Sequence, residues 1–154
     1  MNLKMLKEGW QMLSSKFFKR IGLNTRDKYR KHIFAKARDV YGKTFKGYSN
    51  EYGRKKRAGE LKRQSARGRT TTAPIASGDL LLDFGSHFKT SKYGFEMGWA
   101  AQGAKIKWLK NMGRELTTPE KPIPDGIKNY LSTEVHKEIK RNLGGKKTKI
   151  HKIG

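Results

Sequence analysis

The chain has 154 residues, with 36 Lys plus Arg against 13 Asp plus Glu and a formal net charge of +23. A compact chain of this length forms one domain and buries roughly 70% of its unfolded surface. Leu, Ile, Val and Phe supply only 30 of the 154 residues, which with so much charge sits at the border of independent folding. The absence of cysteine excludes disulfides, thiolate metal sites and cysteine nucleophiles.

At the N-terminus, Leu3, Leu6, Trp10, Leu13 and Phe17 recur at spacings of three and four, which predicts an amphipathic helix over residues 3 to 20. Gly22 is expected to separate it from a second helix, capped by Asn24, whose apolar stripe is Tyr29, Ile33, Ala37, Val40 and Tyr41 and which ends near Gly42. Such stripes are most simply core; a Lys-rich membrane-surface helix is the sharper alternative. Lys4, Lys7 and Glu8 interrupt the first apolar residues and no long uncharged apolar run occurs, so neither a secretory signal nor a membrane span is expected. The reading is of a soluble protein made inside the cell.

Residues 1–47 thus form an N-terminal helical pair, followed by a different kind of sequence. Between 48 and 74 the apolar pattern stops, and Arg54, Lys55, Lys56, Arg57, Lys62, Arg63, Arg67 and Arg69 face only the acids Glu51 and Glu60. This predicts a basic extended arm. Its lysines and arginines are candidate contacts to a partner or to nucleic acid, with Tyr48 and Tyr52 available to stack.

Residues 75–143 read as an α+β core. Leu80 and Leu81 restart apolar content as a helical turn or a strand. Phe95, Met97 and Trp99 then alternate with Gly94, Glu96 and Gly98 after a turn at Ser91, Lys92 and Tyr93, predicting a hairpin. A short helix through Ile106, Trp108 and Leu109 stops at Gly113, although a strand over its first half fits too. Pro119, Pro122 and Pro124 make a stiff link, and Asp125 caps a last helix bearing Ile127, Tyr130, Leu131, Val135 and Ile139. Residues 144–154 form a basic tail in which Lys146, Lys147 and Lys149 are further candidate contacts. The fold class is α+β, mostly helical: two N-terminal helices and one C-terminal helix packed with a small antiparallel hairpin. Trp10, Phe17, Tyr48, Tyr52, Leu80, Leu81, Trp99 and Trp108 are the candidate core or subunit contacts.

Catalytic chemistry finds little footing. The four histidines His32, His87, His136 and His151 lack metal-ligand spacing. Asp79 and Asp83 lie four apart but have no third ligand or neighbouring base, so capping and solubility explain them. No serine sits in a nucleophile elbow, and the dispersed glycines form no phosphate-cradling loop. The expectation is no enzyme, no metal and no cofactor.

Phe45-Lys46-Gly47-Tyr48-Ser49, followed by Tyr52 and Lys56, and then Ser77-Gly78-Asp79-Leu80-Leu81, a glycine-containing hairpin, an apolar helix ending at Gly113 and the link Pro122-Ile123-Pro124, resemble in order and spacing the tailed-phage virion morphogenesis proteins of the tail-completion and neck group. The resemblance covers roughly residues 40 to 143. It implies a non-catalytic virion protein at the head–tail junction that works as a ring of six or twelve copies. Its implied partners are other neck, portal-adaptor or tail proteins and the phage DNA terminus, bound without sequence specificity. It implies a place in the virion, with assembly in the host cytoplasm. The other class of function that fits the charge is a small basic nucleic-acid-binding protein of ribosomal or packaging type.

Overall fold

The structure is a computed structural model that describes residues 13–61 and 78–147. It is a small α+β fold, mostly helical, with one two-stranded antiparallel sheet. Helix α1 spans Ser15–Arg30. Its N-cap is Ser14, whose hydroxyl accepts the Phe17 N–H at 3.1 Å, satisfying one of the donors a helix start leaves open.

Where two N-terminal helices were expected, α1 runs unbroken through Gly22 and Asn24. Gly22 is there for contact: a Cβ on it would lie 2.8 Å from the rings of Phe88 and Phe95. The bare backbone lets the hairpin lie against the helix, and that packing offsets the roughly 1 kcal/mol helix penalty of glycine. Asn24 caps nothing; its amide donates to the Tyr130 hydroxyl at 3.3 Å. The helix then widens into a π turn over Lys31–Ala35, closed by Lys36 N–H to the Lys31 carbonyl at 2.9 Å. Helical structure therefore ends before Val40 and Tyr41. Ala37 takes a positive φ of 52°, and the Asp39 carboxylate accepts the N–H groups of Tyr41 and Lys43 at 3.0 and 2.8 Å. That Asp-centred turn, helped by Gly42 at φ 86°, buries Val40 and turns Tyr41 outward.

Helix α2 spans Asn50–Ala58 and ends in Gly59, left-handed at φ 80°. This corrects the expected extended arm over its first part; residues 62–74 of that arm lie outside the described residues. Helix α3 (Asp79–Asp83) is a single turn leading directly into β1 (Phe84–Thr90). Strand β2 (Phe95–Trp99) pairs antiparallel with it, His87 opposite Gly98 and Phe88 opposite Met97, with an irregularity between Phe84 and His87. The turn falls where alternation placed it: Ser91 N–H reaches the Gly94 carbonyl at 2.9 Å.

Helix α4 spans Gly103–Asn111, and Gly113 beyond it has φ 69°. The Asp83 carboxylate accepts the N–H groups of Ala101 and Gln102 at 3.1 and 2.9 Å, tying the end of α3 to the start of α4. These bonds, with the Ser86 hydroxyl, outweigh its slight burial and hold the carboxyl below its usual range. Helix α5, Asp125–Lys147, begins after Pro124, whose carbonyl accepts the Ile127 and Lys128 N–H groups at 2.9 and 3.0 Å. Asp125 is thus the first helical residue and not the cap. Its carboxylate takes the Lys121 ammonium at 2.6 Å.

Two apolar clusters hold these elements. The larger joins Tyr29, Ile33 and Phe34 to Phe45, Leu80, Phe84, Leu109, Leu116 and Ile127, with Leu81 and Trp99 against its edge. The smaller joins Leu13, Phe17, Phe18 and Ile21 to Phe95 and to the inner face of α5. Arg20 reinforces that seam, with Glu134 and Glu138 of α5 at 3.9 and 3.7 Å.

Candidate functional site

Arg54 to Arg57 were expected as one contact patch, and the helix divides them. Lys56 points inward and is 2% exposed, with its ammonium 4.1 Å from the centre of the Tyr48 ring. Arg114, 3% exposed, brings its guanidinium to 4.0 Å from the same ring and donates from Nη2 to the Lys46 carbonyl at 2.6 Å. Tyr52 packs on Tyr48 with ring centres 4.9 Å apart. The faces of Tyr48 and Tyr52 that sequence reasoning offered to nucleic acid are engaged inside the chain. Desolvation pushes the Tyr48 phenol up; burial and the neighbouring Arg114 bring the Lys56 ammonium down to about 8.

The rest of that group faces outward. Arg54 is exposed and pairs with Glu60 at 3.6 Å, Lys55 pairs with Glu51 at 2.8 Å, and Arg57 is exposed. Lys62, Arg63, Arg67, Arg69 and Lys149 lie outside the described residues, as does Trp10. Lys146 and Lys147 belong to the last turn of α5, and their side chains are likewise not among those described.

The predicted aromatic and aliphatic contacts also separate. Phe17 and Leu80 are buried, and Leu81 is partly so. Trp99 packs its ring on Phe84 with centres 4.7 Å apart and donates its indole N–H to the Leu80 carbonyl at 3.1 Å. It forms one wall of an apolar groove of about 420 Å³ that also touches Thr25, Phe95 and Ile123. Trp108 is no part of the core: on α4 it is 53% exposed, with Met112 at 49% just beyond the helix and Leu82 at 72% on α3. The Asp83 bonds hold α3 against the start of α4.

Sequence reasoning missed a second basic site. Lys28, Lys31, His32 and Lys36 line a cleft of about 320 Å³ whose other wall is Pro124, Gly126 and Ile127. The signal was available in the spacing of these residues along one helix, but it was read only for its apolar stripe; the opposite wall comes from a segment nearly a hundred residues away. Arg114 was missed too, standing alone in a region read for its prolines.

Among the described residues no group of three or more His, Asp and Glu is placed to hold a metal ion, and no helix is long and apolar enough to cross a membrane. No family model, curated protein or solved structure matches the chain.

Proposed function

We propose that the protein is a non-catalytic structural component of a tailed-phage virion, acting at the head–tail junction as a ring of identical copies that contacts neighbouring virion proteins and DNA. The observation that carries this reading is the convergence of the residues that bear the family resemblance. Phe45, Tyr48, Tyr52 and Lys56 pack together with Arg114, which supports reading that stretch as one unit.

Two surface properties favour assembly. Trp108 and, just past the end of its helix, Met112 leave large apolar area in water, and exposed apolar area of this kind favours protein contacts. The charge of +23 opposes self-association of bare copies and is neutralised when DNA lies alongside. Rings close through one repeated contact, so a single patch and its complement on the next copy suffice.

Particles made without this protein test the reading. Full heads and finished tails that fail to join are the expected product; normal infectious particles would remove the proposal.

A further inference from the structure

The cleft beside the π turn has the chemistry of a phosphate site. Lys28 ends the α1 side of it, its ammonium 4.4 Å from the centre of the Tyr130 ring; Lys31 and Lys36 stand one π turn apart, joined by the Lys36 N–H to Lys31 carbonyl bond. An i to i+5 turn is wider than an α turn and re-aims the side chains that follow it, which is why such turns recur at binding sites. His32 is fixed in the same wall, its Nε2–H donating to the Asp39 carbonyl at 2.7 Å. The opposite wall is the first turn of the 23-residue helix α5, whose dipole adds positive potential to that of the lysines.

Among the described residues no carboxylate lines the cleft, and the nearest acids in sequence on its walls are each engaged elsewhere. Asp27 pairs with Arg26 at 3.2 Å, Asp39 accepts the N–H groups of its own turn, and Asp125 holds Lys121 at 2.6 Å. The lysines lining this space are exposed, while the lower rim, Pro124 and Ile127, is buried and shapes the floor. The result is a concave cationic surface, open on one side, with no counter-charge among the described residues that line it.

We infer that this cleft binds the phosphodiester backbone of duplex DNA without reading its bases. The ligand chemistry is the phosphate group. The open side admits a continuous chain where a free anion would be caged on all sides, and lysines act on phosphates as point charges tolerant of sequence. The choice of duplex DNA rests on the head–tail reading above; the site itself rests on the cleft alone.

The test is fluorescence anisotropy of a labelled duplex of arbitrary sequence, titrated with the full chain over a series of salt concentrations. The triple variant Lys28→Gln, Lys31→Gln, Lys36→Gln is compared with a charge-matched control, Lys89→Gln, Lys92→Gln, Lys140→Gln. With one or two phosphates seated in the cleft, the cleft variant binds about tenfold more weakly and its dependence of log K on log salt is shallower by about one to two, while the control stays near wild type. Equal losses in both variants, or none in either, overturn the site in favour of diffuse charge. Inorganic phosphate that displaces the duplex far beyond what matched ionic strength does identifies a free-anion site and overturns the assignment to DNA. Sedimentation of the cleft variant separates this inference from the assembly reading: an intact ring that has lost DNA affinity supports the cleft, and a wild-type protein that never forms rings removes the assembly reading while leaving the DNA measurement to decide the cleft.

Discussion

Two tryptophans nine residues apart carry equal weight in the sequence and opposite roles in the fold. Trp99 stacks on Phe84, satisfies its indole N–H with the Leu80 carbonyl and seals the edge of the larger core. Trp108 stands more than half in water on the outer side of α4, whose inner side buries Leu109. One strand position faces helix α1 and one helix position faces away, and only the three-dimensional arrangement separates them. The basic residues divide the same way: Lys56 and Arg114 are packed onto Tyr48, and Lys28, Lys31 and Lys36 stand around an open cleft. What is enclosed holds the fold, and what is left outside is available to partners.

That contrast can be broken from the inside first. Trp99→Ala removes a large ring from the core edge and leaves the Leu80 carbonyl without its donor, and a loss of about 3 to 4 kcal/mol in urea unfolding is expected. Next comes Arg114→Ala, which strips the guanidinium from Tyr48 and from the Lys46 carbonyl at a cost of about 3 kcal/mol. A change below about 0.5 kcal/mol in either variant would show that the side chain is not part of the structural set.

Lys56 sharpens the comparison through pH. Its ammonium sits at about 8 in the fold against an ordinary value of 10.5. Between those values the unfolded chain binds the extra proton, so stability increases as pH rises from about 8 toward 10. Above about 10 the buried phenol of Tyr29 and the half-buried phenol of Tyr48, both raised by desolvation, act in the opposite sense, because the unfolded chain loses those protons first. Denaturant unfolding across this range should show a rise and then a fall. Lys56→Met should flatten the rise and leave the fall; an unchanged rise would mean that another group produces it.

Much of the fold was legible before the structure. The hairpin followed from the alternation of Phe95, Met97 and Trp99, and the last helix from apolar residues at helical spacing after the proline link. Asp83, expected to cap a helix, instead ties α3 to the segment ahead of α4 by accepting the N–H groups of Ala101 and Gln102. The break at Gly22 was misread because glycine's local cost is visible in sequence whereas its benefit, the approach of Phe88 and Phe95, comes from strands some seventy residues later. The arm was misread for the same reason. Nothing local says that Lys56 is buried; Tyr48 and Arg114, the latter nearly sixty residues further along, supply the cover. Candidate sites suffered most, since both the basic cleft and the separation of the two tryptophans depend on which elements the tertiary fold brings together.

The smallest expected effect on stability belongs to the residue on which the proposed assembly rests. Trp108→Ser should alter unfolding by no more than about 0.5 kcal/mol, as a substitution on an exposed surface does. Sedimentation velocity of wild-type protein and of this variant, with duplex DNA present to neutralise the charge, tests the assembly claim most directly. The account predicts a discrete multimer for wild type and dissociated chains for Trp108→Ser at unchanged fold; wild-type protein that sediments as a single chain, or a variant that assembles as wild type does, would contradict it.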